Sequence, residues 1–539
     1  MALSGKTKSF QTPSLNAARP DENLGLQEFS NPVIKGFNPD PSVCRVGGDF
    51  YLVTSSFEFF PGVPVYHTRN LVNWEMIGNC LTRASQLPLR QAKNSGGIWA
   101  PTIRHHAGRF YMTTTNTTLG GNFYVWATDP AGPWSEPIYV RQQGIDPSLW
   151  FDDDRKVYFA SNGIGWAEIK GIYQCEINIE TGEQLSETRL IWRGTGGSYP
   201  EAPHLFRYGD FYYLLIAEGG TQACHMVTIA RSRNPYGPFE PCPHNPILSN
   251  RSLESPIQST GHADIFADQN GHWWAVFLAV RPHKGTQHLG RETCLAPVHW
   301  DQNHWPVING GQRVTLTGTG ALPALARAPG PVISRSFGAA TLDPHWVHLR
   351  NPVLGNYVLS SGGAALRLLP SVDGLSGNGS PTAVFRRQEG FLLTLSAVVD
   401  FNPDQVGQEA GMVVYRSTDY HAELGITHHE GRRHVVYRRR VGSLMMEQFA
   451  AIPAGQSIRL AVQGDRDNYT FSCVSESEQN GGAQQVYFSA RHETRHLSTE
   501  ISDGFIGAMP GLYAIKGPEN ASQQVNWAEF SRLYYEVKD

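Results

Sequence analysis

The sequence predicts an all-β protein: a five-bladed β-propeller domain followed by a β-sandwich. Three observations carry that prediction. A motif recurs five times between Asn38 and Val280, long helical periodicity is absent, and a Gly/Pro-rich stretch at 317–331 precedes a second set of alternating strands. At 539 residues, the chain exceeds the roughly 250–300 residues at which single cores stop growing, so more than one domain is expected.

The elements follow in chain order. Residues 1–28 read as an N-terminal extension without the apolar run of a secretory leader. The propeller is expected over 29–316. Its five units are NPDPSVCRVGGDFYLVTSS from Asn38, WAPTIRHHAGRFYMTTT from Trp99, IDPSLWFDDDRKVYFASNG from Ile145, PEAPHLFRYGDFYYLLIAEGG from Pro200 and GHADIFADQNGHWWAVFLAV from Gly261. Alternation such as D-F-Y-L-V-T, bounded by Gly or Asp turns, predicts a hairpin in each unit. Anchors at Asp40, Ala100, Asp146, Glu201 and Ala263 lie 60, 46, 55 and 62 residues apart, room for the four short strands of a propeller blade. Residues 317–333 read as a linker. From 334 to 539, segments such as LLTLSAVVDF, EAGMVVYRS and QVYFSARH predict a sandwich.

Composition narrows the function classes. Charged residues are 17% of the chain and the net charge is −4. Arg438-Arg439-Arg440 reads as a solvated strand edge or loop, so nucleic acid is not an expected partner. The longest apolar run, Trp273 to Val280, is too short to span a bilayer, and no membrane partner is expected. Seven scattered cysteines without a C-x-x-C pair suggest neither a disulfide framework nor a zinc site. A cytoplasmic location fits best. Gly194-Thr195-Gly196 opens like a dinucleotide motif, but Tyr199 stands where its last glycine belongs, and no Walker A pattern is present.

The chemistry is read from the repeat. Asp40, Asp146 and Glu201 share a register in the first, third and fourth units. Inner strands of a propeller converge on its axis, so these carboxylates are expected in one pocket. Neighbouring Pro41, Pro147, Pro200 and Pro203 would stiffen their backbones. Crowded acids split their pKa values, which supplies an acid and a base together, the pair that glycoside hydrolysis requires. A sugar-binding propeller without catalysis would not need all three acids.

The ordered set G-F-N-P-D-P-S, S-S-F-E-F-F-P-G-V-P-V-Y-H-T-R-N-L-V-N-W, G-G-I-W-A-P, G-I-D-P-S-L-W-F-D-D-D, Y-P-E-A-P-H-L, G-H-A-D and L-G-R-E-T resembles glycoside hydrolase family 43. More narrowly it resembles the β-xylosidase branch with a C-terminal β-sandwich, over about residues 30–539. The resemblance implies an inverting mechanism. Asp40 would be the general base, Glu201 the general acid, and Asp146 the residue that orients the acid and tunes its pKa. Inversion implies a base–acid separation of roughly 6.5–9.5 Å.

The same resemblance assigns the pocket walls. Arg291 would bind sugar hydroxyls, with a structural ion pair to Glu292 or another acid as the plain alternative. Phe57, Trp99 and Ile145 would contact substrate. Phe505 would be inserted by the sandwich into the pocket rim, although Met509 and Pro510 depart from the family's usual Phe-Val. His262 lies where some members hold a divalent cation (calcium, magnesium or manganese); a hydrogen-bonded core histidine is the alternative. No cofactor is required for the chemistry. The expected activity is an exo-β-1,4-xylosidase acting on xylo-oligosaccharides, with α-L-arabinofuranosidase or dual activity as the alternative. A homo-oligomer is expected from the sandwich domain.

Overall fold

The computed structural model describes residues 25–251, 254–328, 330–476, 484–518 and 526–539. Most of the expected N-terminal extension lies outside them, and its last residues already enter a strand, Gln27–Ser30. Five four-stranded antiparallel sheets follow, each with its strands hydrogen-bonded in chain order. Their first strands are Ser42–Val46, Thr102–His106, Ser148–Phe151, Glu201–Tyr208 and Gln258–Ala267. Each touches the next, and the fifth touches the first. They form the inner ring of a five-bladed propeller.

Strand periodicity explains the ring. In Asp49–Val53, Phe50 and Leu52 point to one side and pack with Phe266 and Val276 of the fifth blade. Val53 points to the other and packs with Ile103, Phe110 and Met112 of the second. Alternate side chains thus serve two blade junctions at once. Buried clusters fill all five junctions, leaving no open sheet face. Asn31 fastens the entry of the chain to the fifth blade. Its side chain donates to the Leu295 carbonyl at 3.0 Å and accepts the Leu295 N–H at 2.9 Å.

The second unit is a sandwich. One sheet centres on Leu392–Asp400 and Ala528–Lys538, the other on Glu409–Ser417 and Tyr420–His429. Leu395, Ala397, Met412, Leu424, Leu460 and Phe530 lie between them. The two domains share an apolar patch of interface. Phe37, Phe57 and Phe59 pack against Leu349, Phe385, Tyr415 and Met509, and Phe59–Phe60 pairs with His348–Leu349 across it. Each fully buried ring contributes roughly 1.5–3 kcal/mol relative to exposure. The departure at Met509 and Pro510 is absorbed here: Met509 fills the interface, and the Pro510 carbonyl accepts the Arg386 N–H at 2.9 Å.

Two expectations are corrected. Residues 317–333 are not a free linker. Thr317–Gly320 pairs with Gln27–Ser30, and Val332–Ser334 pairs with Ala528–Lys538. Gly318 and Gly320 lie against the rings of Phe29 and Trp274, where a Cβ would come within 2.3 and 2.5 Å. Those glycines serve close packing rather than flexibility, and composition alone does not separate the two. The Arg438 run is neither a loop nor an edge: Arg432–Val441 is flanked on both sides by strands. Arg438 is bound by Glu409, Glu423 and Glu447. All seven cysteines are unpaired.

Candidate active site

Asp40, Asp146, Glu201, Arg291, Phe57, Trp99, Ile145, His262 and Phe505 all line one pocket of about 520 Å³ at the propeller axis. The backbone that delivers them is unusual. Asp40 and Asp146, each two residues before an inner strand, have left-handed φ values of 57° and 53°. His262 has φ 49°. In the fourth blade the left-handed residue is Ala202, φ 53°, one after Glu201. L-residues adopt this region at a cost that surrounding structure must offset, and such strain clusters at functional sites. Here it turns successive inner strands so that their carboxylates face the axis.

The three acids have opposite protonation tendencies. Burial pushes the Asp40 carboxyl up, but Arg291, His262, the Ser55 hydroxyl and His225 outweigh it and hold it below the usual range. Arg291 Nη1 donates to Asp40 Oδ1 at 2.8 Å, and Ser55 Oγ donates to Oδ2 at 2.6 Å. Asp146 is raised to about 7 by burial and by the charge of Asp40, though its Oδ2 accepts the Ala202 N–H at 3.1 Å. Glu201 is raised well above the carboxylate range by burial, then by Asp146 and Asp40. The surroundings thus favour the charged form of Asp40 and the neutral form of Glu201.

That split matters because one aqueous carboxyl cannot be both. The site can donate a proton to a leaving oxygen from Glu201 and accept one at Asp40. Residues 29–306 match the family described as glycosyl hydrolases family 43, and residues 334–536 match the beta xylosidase C-terminal concanavalin A-like domain. The chain belongs to glycoside hydrolase family 43.

Three similar proteins match over nearly their whole lengths. It is 40% identical over 529 residues, 96% of each chain, to a non-reducing end alpha-L-arabinofuranosidase of Bacteroides ovatus. It is 37% identical over 535 residues to a xylosidase/arabinosidase of Butyrivibrio fibrisolvens, covering 95% of this chain and 99% of the other. The crystal structure of xylan beta-1,4-xylosidase from Bacillus halodurans superposes with a TM-score of 0.87 at 31% identity, covering 95% of this chain and 100% of that one.

The walls of this family 43 pocket are aromatic. Phe57, Trp99 and Phe505 form a mutual triangle, with ring centroids 6.2 Å (Phe57–Trp99), 5.8 Å (Phe57–Phe505) and 5.4 Å (Trp99–Phe505) apart. The Arg291 guanidinium lies 5.7 Å from the Phe57 centroid and 5.5 Å from that of Phe505. Arg291 does not pair with Glu292: Glu292 is bound by Arg281 and accepts the Gly36 N–H. Arg291 instead bridges Asp40 and Thr221 Oγ1, and its buried Nε has no protein partner.

His262 Nδ1 lies 3.6 Å from Asp40 Oδ1, and burial lowers its pKa, so it is neutral. Among the described residues, no three His, Cys, Asp or Glu side chains converge to hold a metal. A hard cation takes six to eight oxygen ligands. The charges acting on this ring are Asp40, Arg291 and Asp264, a guanidinium and two carboxylates that do not fit that requirement. No chemical step is assigned to a cation.

Sequence reasoning missed Ser55, Thr221, His225 and Tyr199. Tyr199 was noted only for breaking a glycine pattern, yet it lines the pocket. Glu218 secures its loop by accepting the N–H groups of Thr195 and Gly197 at 2.9–3.0 Å. Tyr199, Thr221 and His225 lie outside the five repeat units, so spacing carried no signal for them.

Proposed function

We propose that this glycoside hydrolase is an inverting, exo-acting β-1,4-xylosidase that releases xylose from the non-reducing ends of xylo-oligosaccharides. The observation that carries the reading is the opposed protonation of Asp40 and Glu201 in one axial pocket. In the proposed step, Asp40 takes a proton from water as the water oxygen bonds to the anomeric carbon. The bond from that carbon to the glycosidic oxygen breaks, and Glu201 delivers its proton to the departing oxygen. Asp146 keeps Glu201 protonated by its neighbouring charge. Arg291 offsets the charge on Asp40 and lies in the pocket wall, where its guanidinium would bind sugar hydroxyls. Phe505, contributed by the sandwich, narrows the mouth and supports end-wise action.

A second reading, α-L-arabinofuranosidase or dual activity, is favoured by the name of the 40%-identical relative. The deciding experiment compares kcat/KM on nitrophenyl β-D-xylopyranoside and nitrophenyl α-L-arabinofuranoside in one preparation. A preference for the xyloside supports the first reading, and a preference for the arabinoside replaces it. Proton NMR of the first-formed xylose should show the α-anomer, whereas the β-anomer would refute inversion.

A further inference from the structure

The carboxylate of Glu58 is fully buried between the two domains and has no part in the proposed reaction. Both of its oxygens accept the backbone N–H of Ser95 at 3.1 Å. Ser95 is itself buried and left-handed, with φ 58°. Its carbonyl accepts Nε1–H of Trp99 at 2.9 Å, and its hydroxyl oxygen accepts the N–H of Phe505 at 2.8 Å. One serine therefore holds a pocket wall from the propeller and the rim aromatic from the sandwich, the latter 410 residues away from it in sequence.

The partner side is built to meet it. Gly504, φ +81°, brings the chain so close that a Cβ would lie 2.7 Å from Ser95 Oγ. Arg416 donates to Ser502 Oγ, Thr499 Oγ1 and the carbonyls of Asp503 and Gly504, fixing the turn that ends at Phe505. Arg416 and Arg350 are the positive charges that face Glu58. Asn94, beside Ser95, exchanges hydrogen bonds with Thr418.

We propose that Ser95, anchored by Glu58, is a positioning residue that sets the closure of the terminal-sugar pocket by clamping Phe505 against Trp99. The proposal rests on the exo-acting reading of Phe505 given above. It assigns Ser95 no contact with the reacting atoms, so its effect falls on sugar binding rather than on the chemical step.

The test is a double-mutant cycle with Ser95→Ala and Phe505→Ala. Its readouts are kcat and KM on the better nitrophenyl pentoside, the inhibition constant of the free pentose, and the melting temperature. Ser95→Ala should raise KM and the inhibition constant about fivefold, the worth of one lost hydrogen bond, with kcat nearly unchanged. In the Phe505→Ala background the same change should have almost no effect, because no ring remains to position. Gly504→Ala, which pushes the turn off Ser95 from the other side, should act in the same direction.

An undiminished Ser95→Ala effect in the Phe505→Ala background overturns the proposal. So does an unchanged KM in Ser95→Ala when Phe505→Ala alone raises it, and that result leaves the exo reading intact. If Phe505→Ala changes neither constant, the rim reading fails first and the clamp fails with it.

Discussion

Replacing Arg291 with methionine should move the pH–activity profile, and not merely lower it. In the folded enzyme Arg291 Nη1 lies 2.8 Å from Asp40 Oδ1. At an effective dielectric of about 20, unit charges about 4 Å apart interact by about 4 kcal/mol, which caps the effect on the Asp40 pKa near 3 pH units. A neighbouring opposite charge usually lowers a carboxyl by about 1–3 units. Asp40 must be ionised to act as the base, so it sets the acid limb of kcat/KM.

Its pKa is depressed, so removing the cation raises it and carries the acid limb upward by about 1–3 pH units. Ser55 still donates to the anion, so part of the depression survives. Arg291 also lowers Asp146 and Glu201, so the alkaline limb should rise as well. Arg291→Lys keeps the charge but not the forked geometry, and should leave the limbs closer to wild type. The assay is kcat/KM from pH 4 to 9 with a nitrophenyl pentoside. If activity collapses while both limbs stay fixed, Arg291 only binds sugar and the electrostatic argument is wrong.

Asp40→Asn and Glu201→Gln should each cost about 10²–10⁴ in kcat on oligosaccharides, and Glu201→Gln should lose much less on an aryl glycoside whose leaving group needs little protonation. Equal losses on both substrates would count against Glu201 as the acid. Burial raises the Glu58 carboxyl from its usual 4.5 to about 7. Because the folded state holds that proton more tightly, its contribution is complete below the unfolded pKa and is lost as pH rises through the folded one. The displacement is worth about 3 kcal/mol. Glu58→Gln should therefore gain about that much stability relative to wild type between pH 4.5 and 8, read from melting temperatures; a difference independent of pH would refute it.

The five-fold repeat was legible because a propeller writes its architecture locally. Each blade is a contiguous hairpin set whose period-2 pattern, as in D-F-Y-L-V, must serve two junctions. The carboxylates were legible for the same reason, since a residue at or just before the start of an inner strand reaches the axis wherever its blade sits. Side chains that reach the pocket from outside the register were not legible. Ser55, Thr221 and Tyr199 are placed by turns after second strands or by loops between blades, and the clamp at Ser95 joins residues 410 positions apart.

Protonation was likewise beyond the sequence. Asp40 and Glu201 are chemically similar acids in similar motifs, and the direct contacts of Asp40 with Arg291 and Ser55 are what favour its charged form. The linker expectation failed on the same ground, because a glycine that frees a chain and one that admits a tryptophan ring are the same letter. The sequence by itself determined the ring, its five-fold order and which acids face inward, since these follow from local periodicity. The tertiary structure alone decided which acid is charged, what closes the pocket and how the two domains hold it, since these depend on contacts between distant segments.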